Sequence, residues 1–73
     1  MLFSSMSAWT PDEVATWLES CGASGLAPVI LGNAVDGIDL LSFEDPELLV
    51  KDLRCTPFAA RSLLQLRERE LAR

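Results

Sequence analysis

WTPDEVATWLESCG, residues 9–22, carries the strongest helix signals in the chain. Thr10 is the predicted N-cap with Pro11 at the first helical position, and Glu13, three residues after Thr10, can close a capping box. Gly22 is the predicted stop. The apolar positions have the i, i+3, i+4 and i+7 spacing of one helix face: Val14, Trp17, Leu18 and Cys21. The stretch therefore predicts an amphipathic helix with one face in a core.

Two shorter helical segments are predicted next. The first covers about residues 25–34, and Pro28 falls in its first turn, where its missing N–H costs little. Its apolar face is expected to contain Leu26, Val29, Ile30 and Leu31. Asp36 and Gly37 then mark a turn or a helix start, and residues 38–41 are long enough only for a single helical turn.

Two further helices begin with the same pair of signals, a capping side chain followed by proline. Asp45 and Pro46 start the fourth helix, and Thr56 and Pro57 start the fifth. The residues expected to point inward are Leu48, Leu49 and Leu53 of the fourth helix and Ala59, Ala60, Leu63 and Leu66 of the fifth. The chain then ends in a charged stretch that we expect to be solvated.

No segment alternates as a strand does, and the turns between the five helices are short. The sequence therefore predicts an all-α fold, a compact five-helix bundle with a long C-terminal helix. We expect residues 8–73 to form this domain and residues 1–7 to be a flexible N-terminal segment.

The composition limits the chemistry available to the chain. It has 73 residues and no histidine, and its two cysteines are 34 positions apart without a CxxC motif. Neither a metal site nor a bound cofactor is therefore expected. The serines have no base to activate them, and the acid pairs Asp36/Asp39 and Glu44/Asp45 fit helix caps and a solvated face better than catalytic carboxylates. We expect no enzymatic activity.

The chain also lacks the signals of a membrane or secreted protein. No run approaches the roughly 18 apolar residues that a membrane span needs. The first eight residues, MLFSSMSA, have no basic region and too short an apolar run for a signal peptide. We therefore expect an intracellular protein, cytoplasmic or nuclear, without membrane contact.

The net charge of −5 is divided unevenly along the chain. Residues 1–53 contain nine acids against Lys51, a charge of −8, whereas residues 54–73 contain five arginines against Glu68 and Glu70, a charge of +3. Such a chain can attract a second copy of itself. The acidic total disfavours binding to nucleic-acid phosphates, which requires a basic footprint.

The order of these signals resembles the sterile alpha motif (SAM) domain. The family pattern is a tryptophan before the first helix, V-x-x-W-L, a glycine, a second helix ending in I/V-D-G, then L-L, a short acidic helix, and a long final helix that opens with a small residue and an arginine. The matching residues span about residues 8–72: Trp9, Val14-Ala15-Thr16-Trp17-Leu18, Gly22, Val35-Asp36-Gly37, Leu40-Leu41, Leu53 and Ala59-Ala60-Arg61. Arg54 departs from the pattern, because the family usually has glycine there.

The resemblance implies a protein–protein interaction module. SAM domains commonly associate head to tail, joining an acidic mid-loop surface to an end-helix surface at the start of the fifth helix. By this resemblance we expect the chain to self-associate into oligomers or helical polymers that serve as scaffolds. The expected mid-loop surface comprises Asp36, Asp39, Leu40, Glu44, Asp45 and Glu47. The expected end-helix surface comprises Lys51, Arg54, Pro57, Phe58, Ala59 and Arg61.

Two alternatives remain open. A monomeric adaptor that binds a different SAM domain would use the same two surfaces. RNA binding, which some SAM domains perform, would need a basic surface around the end helix, and the available arginines are Arg54, Arg61, Arg67, Arg69 and Arg73. Nucleic-acid binding is the less favoured alternative, because the last arginines alternate with glutamates and no lysine cluster accompanies them.

Two residues of the end-helix surface each have two interpretations. Phe58, in the first turn of the fifth helix, either folds back onto Leu53 or the second helix as part of the core, or inserts into an apolar notch of the next copy. The residues expected near that notch are Val35, Ile38 and Leu40. Arg61 either contacts acids of a partner or donates hydrogen bonds to carbonyls of its own domain.

Overall fold

The computed structural model describes residues 3–73, with side chains from Met6 onward. Over these residues the chain forms α-helices and 3-10 helices and no strand, which confirms the predicted all-α bundle. The five α-helices are α1 (Pro11–Ser20), α2 (Ala27–Gly32), α3 (Gly37–Ser42), α4 (Pro46–Leu53) and α5 (Pro57–Leu71). The 3-10 helices are Phe3–Ala8 and Ser24–Leu26. None of these described helices is both long and apolar enough to cross a membrane.

The predicted helix starts on α1, α4 and α5 are confirmed. Thr10 and Glu13 form the reciprocal capping box of α1. Asp45 accepts a hydrogen bond from the backbone N–H of Glu47, and Thr56 caps α5 in the same way. In each helix proline follows the cap, so these starts are encoded in adjacent residues.

The second helix is shorter than predicted. Instead of one helix over residues 25–34, the chain forms the 3-10 helix Ser24–Leu26 and then the six-residue α2. At the other end Ala34 adopts a positive φ of 52°, which a continuing right-handed helix cannot accommodate.

Every α-helix contributes to one apolar core. Its buried residues are Met6, Val14, Trp17, Leu18, Ile30, Val35, Leu40, Leu49, Leu53, Ala60 and Leu63. Two predicted core residues, Leu31 and Leu48, are instead 48% and 47% exposed. Each is one position, or about 100° around the helix, from a neighbour that is fully buried, namely Ile30 on α2 and Leu49 on α4.

The packed domain begins earlier than the predicted boundary at residue 8. Met6 is fully buried, and its carbonyl oxygen accepts a hydrogen bond from the N–H of Trp9 at 3.0 Å. Gly37 approaches so closely that an added Cβ would overlap the Met6 carbonyl oxygen. The flexible segment expected over residues 1–7 is therefore wrong at Met6, because this side chain belongs to the core; residues 1–2 lie outside the described residues.

The C-terminal part of α5 is not the wholly solvated stretch that the sequence predicted. Arg67 donates hydrogen bonds to the carbonyl oxygens of Leu40 and Phe43, which ties α5 to the end of α3. Glu70 is only 8% exposed and accepts a hydrogen bond from Trp17 Nε1 at 3.2 Å. Both side chains turn inward because other elements offer them polar partners. Glu70 is therefore buried and Arg67 is largely buried, instead of being solvated.

Candidate interaction surfaces

The end-helix surface lies where α4 ends and α5 begins. Phe58 is 73% exposed, so its interpretation as a core residue is wrong. The reason is helical geometry: Ala60 faces the core, and Phe58 precedes it by two positions, or about 200° around the helix. A large aromatic side chain therefore stands in solvent in the first turn of α5, where an apolar contact with a partner would remove it from water.

The cations of this surface are exposed, and their side chains are not paired with other described residues. Among the described residues Lys51, Arg54 and Arg61 make no hydrogen bond or ion pair through their side chains. The role considered for Arg61, hydrogen bonding to carbonyls of its own domain, belongs instead to Arg67. These two arginines could not be told apart from the sequence, because the carbonyls concerned lie on α3 and in the loop that follows it.

A surface depression of about 340 Å³ lies between α4 and the start of α5. Its lining consists of Pro46, Glu47, Val50, Lys51, Pro57 and Arg61. Two prolines and a valine supply apolar surface, and two cations and one acid supply charge. Glu47, expected on the mid-loop surface, thus lies beside the end-helix cations, because the first turn of α4 packs next to the first turn of α5.

The mid-loop surface is centred on α3. Asp36 and Asp39 form the reciprocal capping box of α3, so both have a structural role; Asp39 is exposed and Asp36 is half-buried. Leu40 is fully buried and cannot contact a partner, which corrects its expected place in this surface. Ile38, two positions away and therefore on the opposite side of the helix, is 62% exposed.

The remaining acids of the expected mid-loop surface are also exposed. Glu44 makes no hydrogen bond through its side chain among the described residues, and Asp45 serves as the cap of α4. No group of three histidine, cysteine or carboxylate side chains over residues 3–73 is arranged to hold a metal ion. What this cluster offers to a partner is negative charge near two exposed aliphatic side chains of α3, Ile38 and the less exposed Leu41.

A separate depression of about 380 Å³ lies between α1 and the end of α5. The rings of Trp9 and Trp17 meet there with centroids 5.5 Å apart. The buried carboxylate of Glu70 at this site already accepts hydrogen bonds from Trp17 and from Arg73. The Glu70 carboxylate is thus paired within the domain and links α1 to the end of α5, which fits a structural junction.

Comparisons of the chain with protein-family models, with curated proteins and with solved structures gave no match. The fold class therefore stands on the helices and the core described above.

Proposed function

We propose that this domain is a SAM-like protein–protein interaction module that self-associates head to tail, through the mid-loop surface of one copy and the end-helix surface of the next. One observation carries the proposal. Each surface combines a strongly exposed apolar side chain with charge of a single predominant sign: Ile38 beside Asp36 and Asp39, and Phe58 beside Arg61. The two surfaces are therefore complementary to each other, whereas two copies of the same surface would bring like charges together.

Electrostatics adds to this complementarity. The first turn of α5 presents backbone N–H groups that its own helix does not use, and Thr56 satisfies the one of Ala59. The positive end of the helix dipole and the exposed Arg61 therefore favour a carboxylate at this tip. The mid-loop surface of a second copy supplies carboxylates at the start of α3.

The difference between the two surfaces determines the form of assembly. A contact that joins unlike surfaces leaves one surface free at each end of the complex. It therefore propagates into open chains, unless the rotation between copies closes a ring. The resemblance to SAM domains supports the same arrangement, because head-to-tail association is common in that family.

RNA binding has less support from the arrangement of the arginines. Arg67 is bonded to main-chain carbonyls of its own domain and to Glu68, and Arg73 pairs with Glu70. These side chains would have to leave their partners before they could neutralise phosphates. An adaptor that binds a different SAM domain would use the same surfaces as the proposed assembly, and the experiment below separates the two.

The test uses the asymmetry of a head-to-tail contact. Asp39→Arg should disable the mid-loop surface alone, and Arg61→Glu the end-helix surface alone, so that each variant is monomeric in sedimentation velocity. An equimolar mixture should form a 1:1 dimer and stop there, because one intact pair of surfaces remains. The cap of α3 survives Asp39→Arg, because Asp36 bonds the backbone N–H of residue 39.

The matched control is Glu19→Arg, which reverses an exposed charge on α1, a helix that contributes no residue to either surface; at 0.15 M NaCl, where long-range repulsion is screened, it should assemble like the wild type. A wild-type chain that stays monomeric at every concentration would contradict self-association and leave the adaptor as the better proposal. A mixture that fails to dimerise would contradict the assignment of two distinct surfaces.

A further inference from the structure

The mid-loop surface has a strongly exposed aliphatic side chain, Ile38, and the end-helix surface has a partly apolar depression between α4 and α5. We infer that Ile38 of one copy inserts into the depression between α4 and α5 of the next copy. This inference rests on the proposed head-to-tail association and adds its direction. The sequence had suggested the opposite insertion, with Phe58 of the end-helix surface entering a notch on the mid-loop surface of the next copy.

Two of the three residues expected to form a notch for Phe58 are buried in the core. They are Val35 and Leu40, which are 2% and 0% exposed. The third, Ile38, projects into solvent. Of the three residues, only Ile38 is therefore available to a partner, and a projecting side chain supplies a knob and not a hole.

The socket is on the end-helix surface. Pro46, Val50 and Pro57 give the depression its apolar part, and its volume is about 340 Å³. An enclosed apolar cavity of roughly 150 Å³ holds a benzene ring, so this open depression has room for one branched aliphatic side chain and its flanking backbone. Phe58 does not line it, although it adjoins Pro57 in the sequence.

Charge complementarity identifies a second copy as the occupant. Lys51 and Arg61 line the depression, and Asp36 and Asp39 lie within two residues of the proposed knob in the sequence. An incoming Ile38 would therefore bring two carboxylates toward two cations that have no hydrogen-bond or ion-pair partner among the described residues.

The charge of Glu47 has opposite effects on assembly in the two possible arrangements. It lines the depression as the one acid among the cations, so it would repel the carboxylates that arrive with Ile38. If Glu47 belonged instead to the mid-loop surface, as the sequence suggested, it would attract a partner's cations. Removing its charge should therefore strengthen assembly in the first arrangement and weaken it in the second.

The experiment measures the association constant by sedimentation equilibrium for variants of the 73-residue chain. Ile38→Ala should weaken association by about 30-fold or more, the usual loss at an interface hot spot, and should do so far more than Phe58→Ala. Glu47→Gln should tighten association about 2- to 5-fold at low salt, and Asp39→Asn should weaken it by a similar factor. Glu19→Gln removes an exposed charge on α1 and changes the net charge by the same amount, so Glu47→Gln should tighten association more than Glu19→Gln does.

The possible results separate the insertion of Ile38 from the head-to-tail proposal itself. Larger loss in Phe58→Ala than in Ile38→Ala would overturn the direction of insertion, as would weaker association in Glu47→Gln. Unchanged association in Ile38→Ala, with a wild type that assembles, would overturn this inference and leave the head-to-tail proposal standing. A monomeric wild type would overturn both. Thermal unfolding of Ile38→Ala should match that of the wild type, since the side chain is exposed.

Discussion

Arg54 adopts a backbone conformation that side chains other than glycine rarely adopt. It ends α4 with φ 56° and ψ 42°, in the left-handed region, at a cost of roughly 1 kcal/mol. Glycine, which the SAM pattern usually has here, would avoid this cost. The chain instead keeps an exposed cation beside the proposed interface. We expect Arg54→Gly to raise the free energy of unfolding by about 0.5–1 kcal/mol while weakening association at low salt.

Ala34 provides a matched control for this prediction. Its φ of 52° is close to that of Arg54, and its side chain carries no charge. Ala34→Gly should therefore relieve similar strain without changing association. Denaturant unfolding and sedimentation equilibrium on both variants separate the two effects. Equal association in Arg54→Gly and the wild type would argue that the strained cation has no part in binding.

At the scale of the helices, the sequence predicted features whose partner residues lie close together in the chain and missed those whose partners lie far apart. The caps of α1, α4 and α5 were predicted because cap and recipient lie within three residues of each other. The burial of Glu70 was missed because its partner Trp17 is 53 residues away. The exposure of Ile38 and the burial of Leu40 could not be assigned either, since a single turn has too few residues for a periodic pattern.

The junction of α1 and α5 can be tested through its buried hydrogen bond. Glu70→Ala would leave Trp17 Nε1 without its acceptor, and we expect it to lower the free energy of unfolding by about 1–3 kcal/mol. Glu70→Gln keeps an acceptor oxygen at the same place and should cost much less. Thermal unfolding of the two variants measures the difference. Equal losses would mean that the ion pair with Arg73 matters more than the hydrogen bond.

At the scale of the whole molecule, two electrostatic effects of opposite sign act on assembly. Each copy carries a net charge of −5, which repels another copy over distances comparable to the molecule, whose extents are 33 × 21 × 21 Å. The acids of the mid-loop surface and the cations of the end-helix surface attract each other only near contact. Salt therefore removes the repulsion first, because the Debye length falls from about 30 Å at 0.01 M to about 8 Å at 0.15 M.

Above that range salt acts mainly on the attraction, since the Debye length falls to about 3 Å at 1 M. We therefore expect association to be tightest at intermediate salt and weaker at both 0.01 M and 1 M NaCl, as measured by sedimentation equilibrium. The double variant Asp39→Asn/Arg61→Gln has the same net charge as the wild type and lacks one pair of opposite charges across the interface. Its association should still strengthen when NaCl is raised from 0.01 M to intermediate concentrations. Towards 1 M NaCl its association should weaken less than that of the wild type. Association that strengthens steadily up to 1 M NaCl would show that apolar burial, centred on the exposed Ile38 and Phe58, outweighs the charges.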